Sequence, residues 1–280
     1  MSADLHCHTV LSDGSVTVEL AMKLAHNVGI SAIAITDHDT MAGVERAREI
    51  GRQYGIDVID GVEISAFDYK RLKKVHVLCY MPDKPGELSG IMNAMLEERR
   101  RSGMIAIESL CKDYPLTRED FLSYTEQSTT IFKQHLMRAL MDAGFADRVF
   151  SELYYDLFKR PGDKRIYAPI RYPDVNDVVA AARASGGIVV IAHAGFYDNF
   201  GLIEELASRG DIDGVEVWHP ENNKEQTAWL SQFADAHGLL KTGGSDFHGM
   251  NNSRMVQIGE YRTPPQELER LLNFKNNRKD

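Results

Sequence analysis

The chain has 280 residues, a formal net charge of −9, 43% hydrophobic and 26% charged residues. That balance suits a soluble globular protein of one large α/β domain or two smaller ones, and it excludes a disordered, collagen-like or generally DNA-coating chain. No apolar run approaches the ~18 residues of a membrane helix, and three scattered cysteines (Cys7, Cys79, Cys111) do not make a disulfide framework, so a cytoplasmic protein is expected.

The first strand-like segment is ADLHCHT, residues 3–9. A helical stretch follows over 16–29 and ends at Gly29. SAIAITDHD (31–39) reads as the second strand, with a helix over 42–55 ending at Gly55. IDVIDGVEIS (56–65) and KKVHVLCY (73–80) read as the third and fourth strands. The alternation then stops. From about Asp83 to Ala168 the pattern is mainly helical and rich in Met and Arg, and the stretch from Arg99 to Arg171 is locally basic within an acidic chain. It resumes with GGIVVIAHAG (186–195), a helix over 201–210, DIDGVEVWHP (211–220), a helix over 224–238, and GLLKTGGSDFHG (238–249). The tail NFKNNRKD reads as polar and frayed.

Seven strands alternating with helices predict a mostly parallel sheet, closed into a distorted (β/α)7 TIM-like barrel. The barrel is assigned to residues 1–82 and 169–280, with 83–168 as an inserted helical cap.

Ionisable residues recur at strand ends: His6 and His8, Asp37 and His38, Glu63, His76 within the fourth strand, His193, then Asp246 and His248. In a parallel barrel those ends converge on one face. His6 and His8, two apart on a strand, point to the same side while Cys7 points away. A lone strand-end histidine is usually structural; six histidines and three carboxylates on one face are not. Imidazole with carboxylate suits Mn, Fe or Zn, and so many groups suit two or three divalent ions. Such a site activates water and clamps the oxygens of a phosphoryl transfer. Asp37 and Asp39 read as shaping the turn around His38, Arg99 to Arg101 as a solvated helix face, and Trp218 and His219 as pocket lining or turn packing.

HCH (6–8), SDG (12–14), TDHD (36–39), GVEIS (61–65), His76, IAH (191–193) and GSDFH (244–248) together resemble the PHP family, the polymerase and histidinol phosphatase domain. The resemblance implies a distorted seven-stranded barrel, a trinuclear metal centre and phosphoesterase activity. By motif, one ion would take His6, His8, Glu63 and Asp246, a second Asp13, His38 and His248, and a third Glu63, His76 and His193. The helical insertion resembles the branch that hydrolyses nucleoside 5′-monophosphates and 3′,5′-bisphosphates or trims RNA from its 5′ end. KQHLMR (133–138) stands where that branch has an Arg-Pro-His-Phe-Ala-Arg-like segment, making Lys133, His135 and Arg138 candidate phosphate contacts, with Arg171 as a fourth. Lys133 cannot form the bidentate fork of an arginine, and the family's Pro after the IAH histidine is Ala194 here. The expected activity is hydrolysis of a phosphate monoester by a metal-bridging hydroxide, with a small phosphorylated substrate and no obligate protein partner. A histidinol-phosphate phosphatase and a metal-dependent amidohydrolase are the alternatives.

Overall fold

A computed structural model describes residues 2–160, 166 and 168–278 of the chain. It opens with β1 (Ala3–Cys7), α1 (Val18–Asn27), β2 (Ala32–Ile35), α2 (Val44–Tyr54), β3 (Asp57–Val58), β4 (Gly61–Asp68) and β5 (Lys73–Tyr80). Four helices follow without a strand: α3 (Ser89–Asp113), α4 (Arg118–Ser123), α5 (Lys133–Asp142) and α6 (Glu152–Phe158). Then come α7 (Val175–Ala184), β6 (Ile188–Ile191), α8 (Ala194–Tyr197), α9 (Phe200–Ser208), β7 (Gly214–Trp218), α10 (Lys224–His237), β8 (Leu240–Gly243) and α11 (Pro265–Asn277).

Local chemistry sets these limits. Thr17 caps α1 by accepting the Leu20 N–H, and Asn223 with Gln226 forms a reciprocal capping box on α10. Gly55 and Gly238 end α2 and α10 in the left-handed conformation, at φ 68° in both, where a Cβ would be strained. The uninterrupted apolar runs of β2 (AIAI) and β6 (IVVI) are buried along their whole length.

Strand pairing yields two sheets, β1-β2-β3 and β4-β5-β6-β7-β8. Single bridges join them: His38 to Glu63, and Cys7 to Phe247 after β8. Among the described residues the ladders do not close into one barrel, which departs from the expected closed (β/α)7 wall; the fold is mixed α/β. Four pairings are parallel, but β5 runs antiparallel to both β4 and β6. The cause is local: only residues 69–72 separate β4 from β5, too few for the crossover a parallel pair needs. The expected third strand is also split in two, at Ile59 and Asp60.

One apolar cluster draws residues from both sheets, including Leu5, Ala34, Leu78, Tyr80 and Val190, and the Tyr80 hydroxyl donates to the Leu5 carbonyl at 2.8 Å. α1 and α2 cover the first sheet, and α7, α9 and α10 cover the second. The helices from α3 to α6 build a separate cluster around Ile107, Phe121, Leu136, Leu140 and Phe158. Residues 161–165 and 167 of the expected insertion lie outside the described residues. The tail differs from expectation: α11 runs to Asn277, and Lys275 is buried, donating to Asp83 Oδ2 at 2.6 Å and the Gly186 carbonyl at 2.5 Å. A buried ammonium needs such partners. Among the described residues no helix is long and apolar enough to cross a membrane.

Candidate metal centre

His6 lies near the end of β1 and His8 just beyond it, both fully buried, and the segment after β8 returns beside them: Asp246 N–H donates to the His6 carbonyl at 2.8 Å, and His8 N–H to Phe247 O at 2.9 Å. Gly244 permits this approach, since a Cβ there would overlap the Cβ and backbone N of His6. Three of the non-glycine residues with positive φ are Asp39, His193 and Asp246, at 58°, 25° and 51°. Backbone held in this region clusters at functional sites, and here it turns the strand ends inward.

Glu63 on β4 is the hub. Its Oε1 lies 2.8 Å from both His76 Nδ1 and His193 Nε2. Its Oε2 lies 3.0 Å from His38 Nδ1, 3.1 Å from His8 Nε2 and 3.3 Å from His6 Nε2. Asp246 Oδ1 is 3.2 Å from His8 Nε2 and 3.4 Å from His6 Nε2. Beside them Asp13 Oδ1 is 3.2 Å from His248 Nε2, and Asp13 Oδ2 is 3.8 Å from His38 Nε2. Ligand atoms of His6, His8, Glu63 and Asp246 fall within 4.8 Å of one another, as do those of His8, Asp13, His38 and His248, and those of His38, Glu63 and His76.

Burial alone would push the Glu63 carboxyl up; the charges of His76, His38 and His6 outweigh it and hold Glu63 well below the usual carboxylate range. Asp246 follows the same pattern, with His6 and His248 overcoming burial. Burial drives the His76 imidazole down to about 3, against the pull of Glu63. His6 Nε2, His8 Nε2, His38 Nδ1, Glu63 Oε2 and Asp246 Oδ1 are buried without a hydrogen-bond partner, and all face the same small volume. Orphaned buried polar atoms are costly. Imidazole nitrogens and carboxylate oxygens aimed at one point are the donor set of a Mn, Fe or Zn site, so these residues fit divalent ions.

The centre floors a cavity of about 220 Å³, whose other walls include Lys74, Arg99, Phe132, Lys133, Tyr154, Lys159 and Tyr172. Lys74 stands two residues before His76 on β5, on the same strand face, with its ammonium 5.0 Å from the Tyr172 ring centre. Of the four candidate phosphate contacts, Lys133 lines the cavity. His135 does not: it is buried behind the wall, and its Nδ1 accepts the Phe132 N–H at 3.2 Å, capping α5. Arg138 stands off the cavity with its guanidinium 5.8 Å from the Tyr124 ring, and Arg171 is exposed, its backbone N–H bonded to Glu98.

Arg99 is not the solvated residue expected. Its guanidinium donates to Asp39 Oδ2 at 3.2 Å and Ser65 Oγ at 2.7 Å and lies 4.6 Å from the Phe132 ring centre, because α3 crosses the ends of β2 and β4 at this turn. Arg100 and Arg101 are exposed. Asp37 organises the preceding loop, accepting from Thr9 N–H and Oγ1, each at 2.7 Å, and Ser12 Oγ at 2.6 Å. Glu216 and Lys74 were not singled out by the sequence reading. Both had a signal in strand alternation: Lys74 shares a face with His76, and Glu216 alternates with Val215 and Val217 near a strand end.

A PHP domain model matches residues 4–149. A phosphoribosyl 1,2-cyclic phosphate 1,2-diphosphodiesterase of Eggerthella lenta is 35% identical over 268 residues, 94% of this chain and all of that protein. A 3′,5′-nucleoside bisphosphate phosphatase of Chromobacterium violaceum is 29% identical over 258 residues, 88% of this chain and 86% of that one. Among solved structures, a Bifidobacterium adolescentis protein provisionally described as a metal-dependent phosphoesterase superposes with a TM-score of 0.86 at 32% identity, covering 97% of this chain and 95% of that one.

Proposed function

This chain belongs to the PHP domain family and is a metal-dependent phosphoesterase, and we propose that it hydrolyses a phosphate ester on a ribose that carries a second phosphate. One observation carries this reading: the cavity is lined both by a floor of carboxylates and imidazoles and by Lys74, Lys133 and Lys159. A compound with one phosphate at the floor and another at the lysines would satisfy both. The names of two relatives support the same class, since a phosphoribosyl cyclic phosphate and a nucleoside 3′,5′-bisphosphate each place two phosphate groups on one ribose. The cyclic compound is the first choice because the relative named for it is matched over its whole length.

In this reading the two bridged sheets are the wall of a distorted barrel formed by 1–82 and 169–280, and 83–168 is the cap that closes the cavity with Phe132, Lys133, Tyr154 and Lys159. So small a cavity favours a single sugar phosphate or nucleotide over an RNA strand, which needs a channel. His6, His8, Glu63 and Asp246 would hold one ion, Asp13, His38 and His248 a second, and Glu63, His76 and His193 a third. Divalent ions there supply Lewis-acid polarisation of the phosphoryl oxygens and neutralise their charge. The chain itself orients the ester: Lys74 and Lys133 offer charge-assisted hydrogen bonds to the second phosphate, and the Phe132 and Tyr154 rings exclude water from the covered side.

The test is hydrolysis by Mn-reconstituted protein, followed by phosphorus NMR so that ring opening and phosphate release are both seen. The substrates are phosphoribosyl 1,2-cyclic phosphate, adenosine 3′,5′-bisphosphate, adenosine 5′-monophosphate, histidinol phosphate and a 5′-phosphorylated oligoribonucleotide. Preference for the first two supports the proposal; turnover confined to histidinol phosphate or the oligonucleotide overturns it.

A further inference from the structure

Two buried ionisable side chains at this site have no part in the ligand sets above. Glu216 lies on β7 and His219 just beyond it, 0% and 1% exposed. Glu216 Oε1 lies 2.9 Å from His6 Nδ1, and Oε2 accepts the His193 backbone N–H at 2.8 Å. An ionised carboxylate only accepts, so the His6 proton sits on Nδ1 and the Nε2 lone pair faces Glu63 and Asp246.

His219 stands against Asp246. Its Nδ1 accepts the Glu221 N–H at 3.0 Å, which puts its proton on Nε2; that buried N–H has no hydrogen-bond partner and points its charge at Asp246 Oδ2, 3.3 Å away. The outer oxygen of Asp246 thus has His219 as its close electrostatic neighbour, and Oδ1 is turned toward His6 and His8. Asn222 pins the turn that carries both residues: its Nδ2 donates to the Glu216 and Val217 carbonyls, each at 3.1 Å, while its Oδ1 accepts the Gly195 N–H at 3.0 Å, close after His193.

We propose that Glu216 and His219 are positioning residues that orient His6, His193 and Asp246 so that their metal-binding atoms face the centre before any ion arrives. The inference rests on the metal-site reading of the preceding section. A competing role exists, because His6, Glu216 and His219 could themselves surround an ion. The positioning role predicts weaker binding of the ion that His6 and Asp246 hold, whereas a separate site predicts loss of an ion additional to the three ligand sets, with those sets binding normally. Groups that orient metal ligands are typically worth about 10–100-fold in metal affinity.

The experiment is a Mn²⁺ titration of the metal-free full chain, read by EPR of free Mn²⁺, on wild type, His219→Ala, His219→Gln and Glu216→Gln. His219→Ala should weaken Mn²⁺ binding about 10–100-fold and lower kcat while KM stays within about twofold, since neither residue lines the cavity. His219→Gln, which keeps an N–H donor, should recover most of the affinity. Glu216→Gln, whose amide offers one acceptor oxygen for two N–H groups, should weaken binding even if His219→Ala folds poorly. Variants that bind Mn²⁺ with wild-type affinity, or that lose only an ion additional to the three ligand sets while the ion of His6 and Asp246 binds normally, overturn the inference. A wild-type chain that holds no Mn²⁺ removes the metal reading and this inference with it, whereas failure of every ribose phosphate in the hydrolysis assay leaves the binding result standing.

Discussion

Arg99 reaches from α3 to Asp39 in the turn after β2, its Nε donating to Asp39 Oδ2 at 3.2 Å, with the Asp39 side chain fully buried and that of Arg99 11% exposed. This ion pair ties the inserted helices to the turn that carries His38. Removing one partner strands a buried charge, so Arg99→Ala should cost about 3–5 kcal/mol in urea unfolding. Arg99→Lys should recover only part, because an ammonium cannot span Asp39 and Ser65 as the planar guanidinium does. A loss under about 1 kcal/mol would mean the pair is solvated.

Metal removal should act on stability as well as turnover. At Mn²⁺ a hundredfold above its dissociation constant, binding adds about 2.7 kcal/mol to the folded state. A chelator should therefore lower Tm, and His6→Ala or Asp246→Ala should abolish hydrolysis and blunt the Mn²⁺-dependent rise in Tm. Either variant with full turnover contradicts the ligand assignment.

Gly244 is needed for space. A Cβ at this position would overlap the Cβ and backbone N of His6. Gly244→Ala should destabilise by about 1–3 kcal/mol and weaken Mn²⁺ binding through the displaced His6. Normal stability and normal metal affinity together would show that the two segments separate freely.

Lys133 lines the cavity, whereas Arg138 and Arg171 do not. A charge-assisted hydrogen bond is worth about 1.5–3 kcal/mol, so Lys133→Ala should raise KM about tenfold or more. Arg138→Ala and Arg171→Ala should leave KM within about twofold. Steady-state kinetics on the preferred ribose phosphate decides, and the reverse ranking would return the phosphate contact to the arginines.

Burial holds the His135 imidazole down at about 4, against about 6.5 when unfolded. Below about 6.5 the unfolded chain takes up a proton that the folded state refuses until about 4. The group's contribution is thus complete above that window and is lost as pH falls through it, on the order of 3 kcal/mol in all. Urea unfolding of wild type and His135→Gln between those limits should diverge, the variant losing less stability as pH falls. Parallel curves would place His135 in solvent.

The glycines at 29, 55, 210 and 238 were legible as helix ends, and all four adopt positive φ. Period-two alternation put His6 and His8 on one side of a strand, and the order of the motifs was enough to point to the PHP family, because these signals are local and survive without a partner. The reversal of β5, the burial of Arg99, the retreat of His135, Arg138 and Arg171 from the cavity, and the Glu216–His219 pair were not legible. Each depends on which segment lies opposite across the chain: residue 76 beside 63, 99 beside 39, 216 beside 6. The sequence by itself determined the residue types and the local geometry that aims them. Which atoms meet, and which polar groups are left facing one common point, was decided only by the tertiary structure, since desolvation and hydrogen-bond pairing act between segments that the chain order holds far apart.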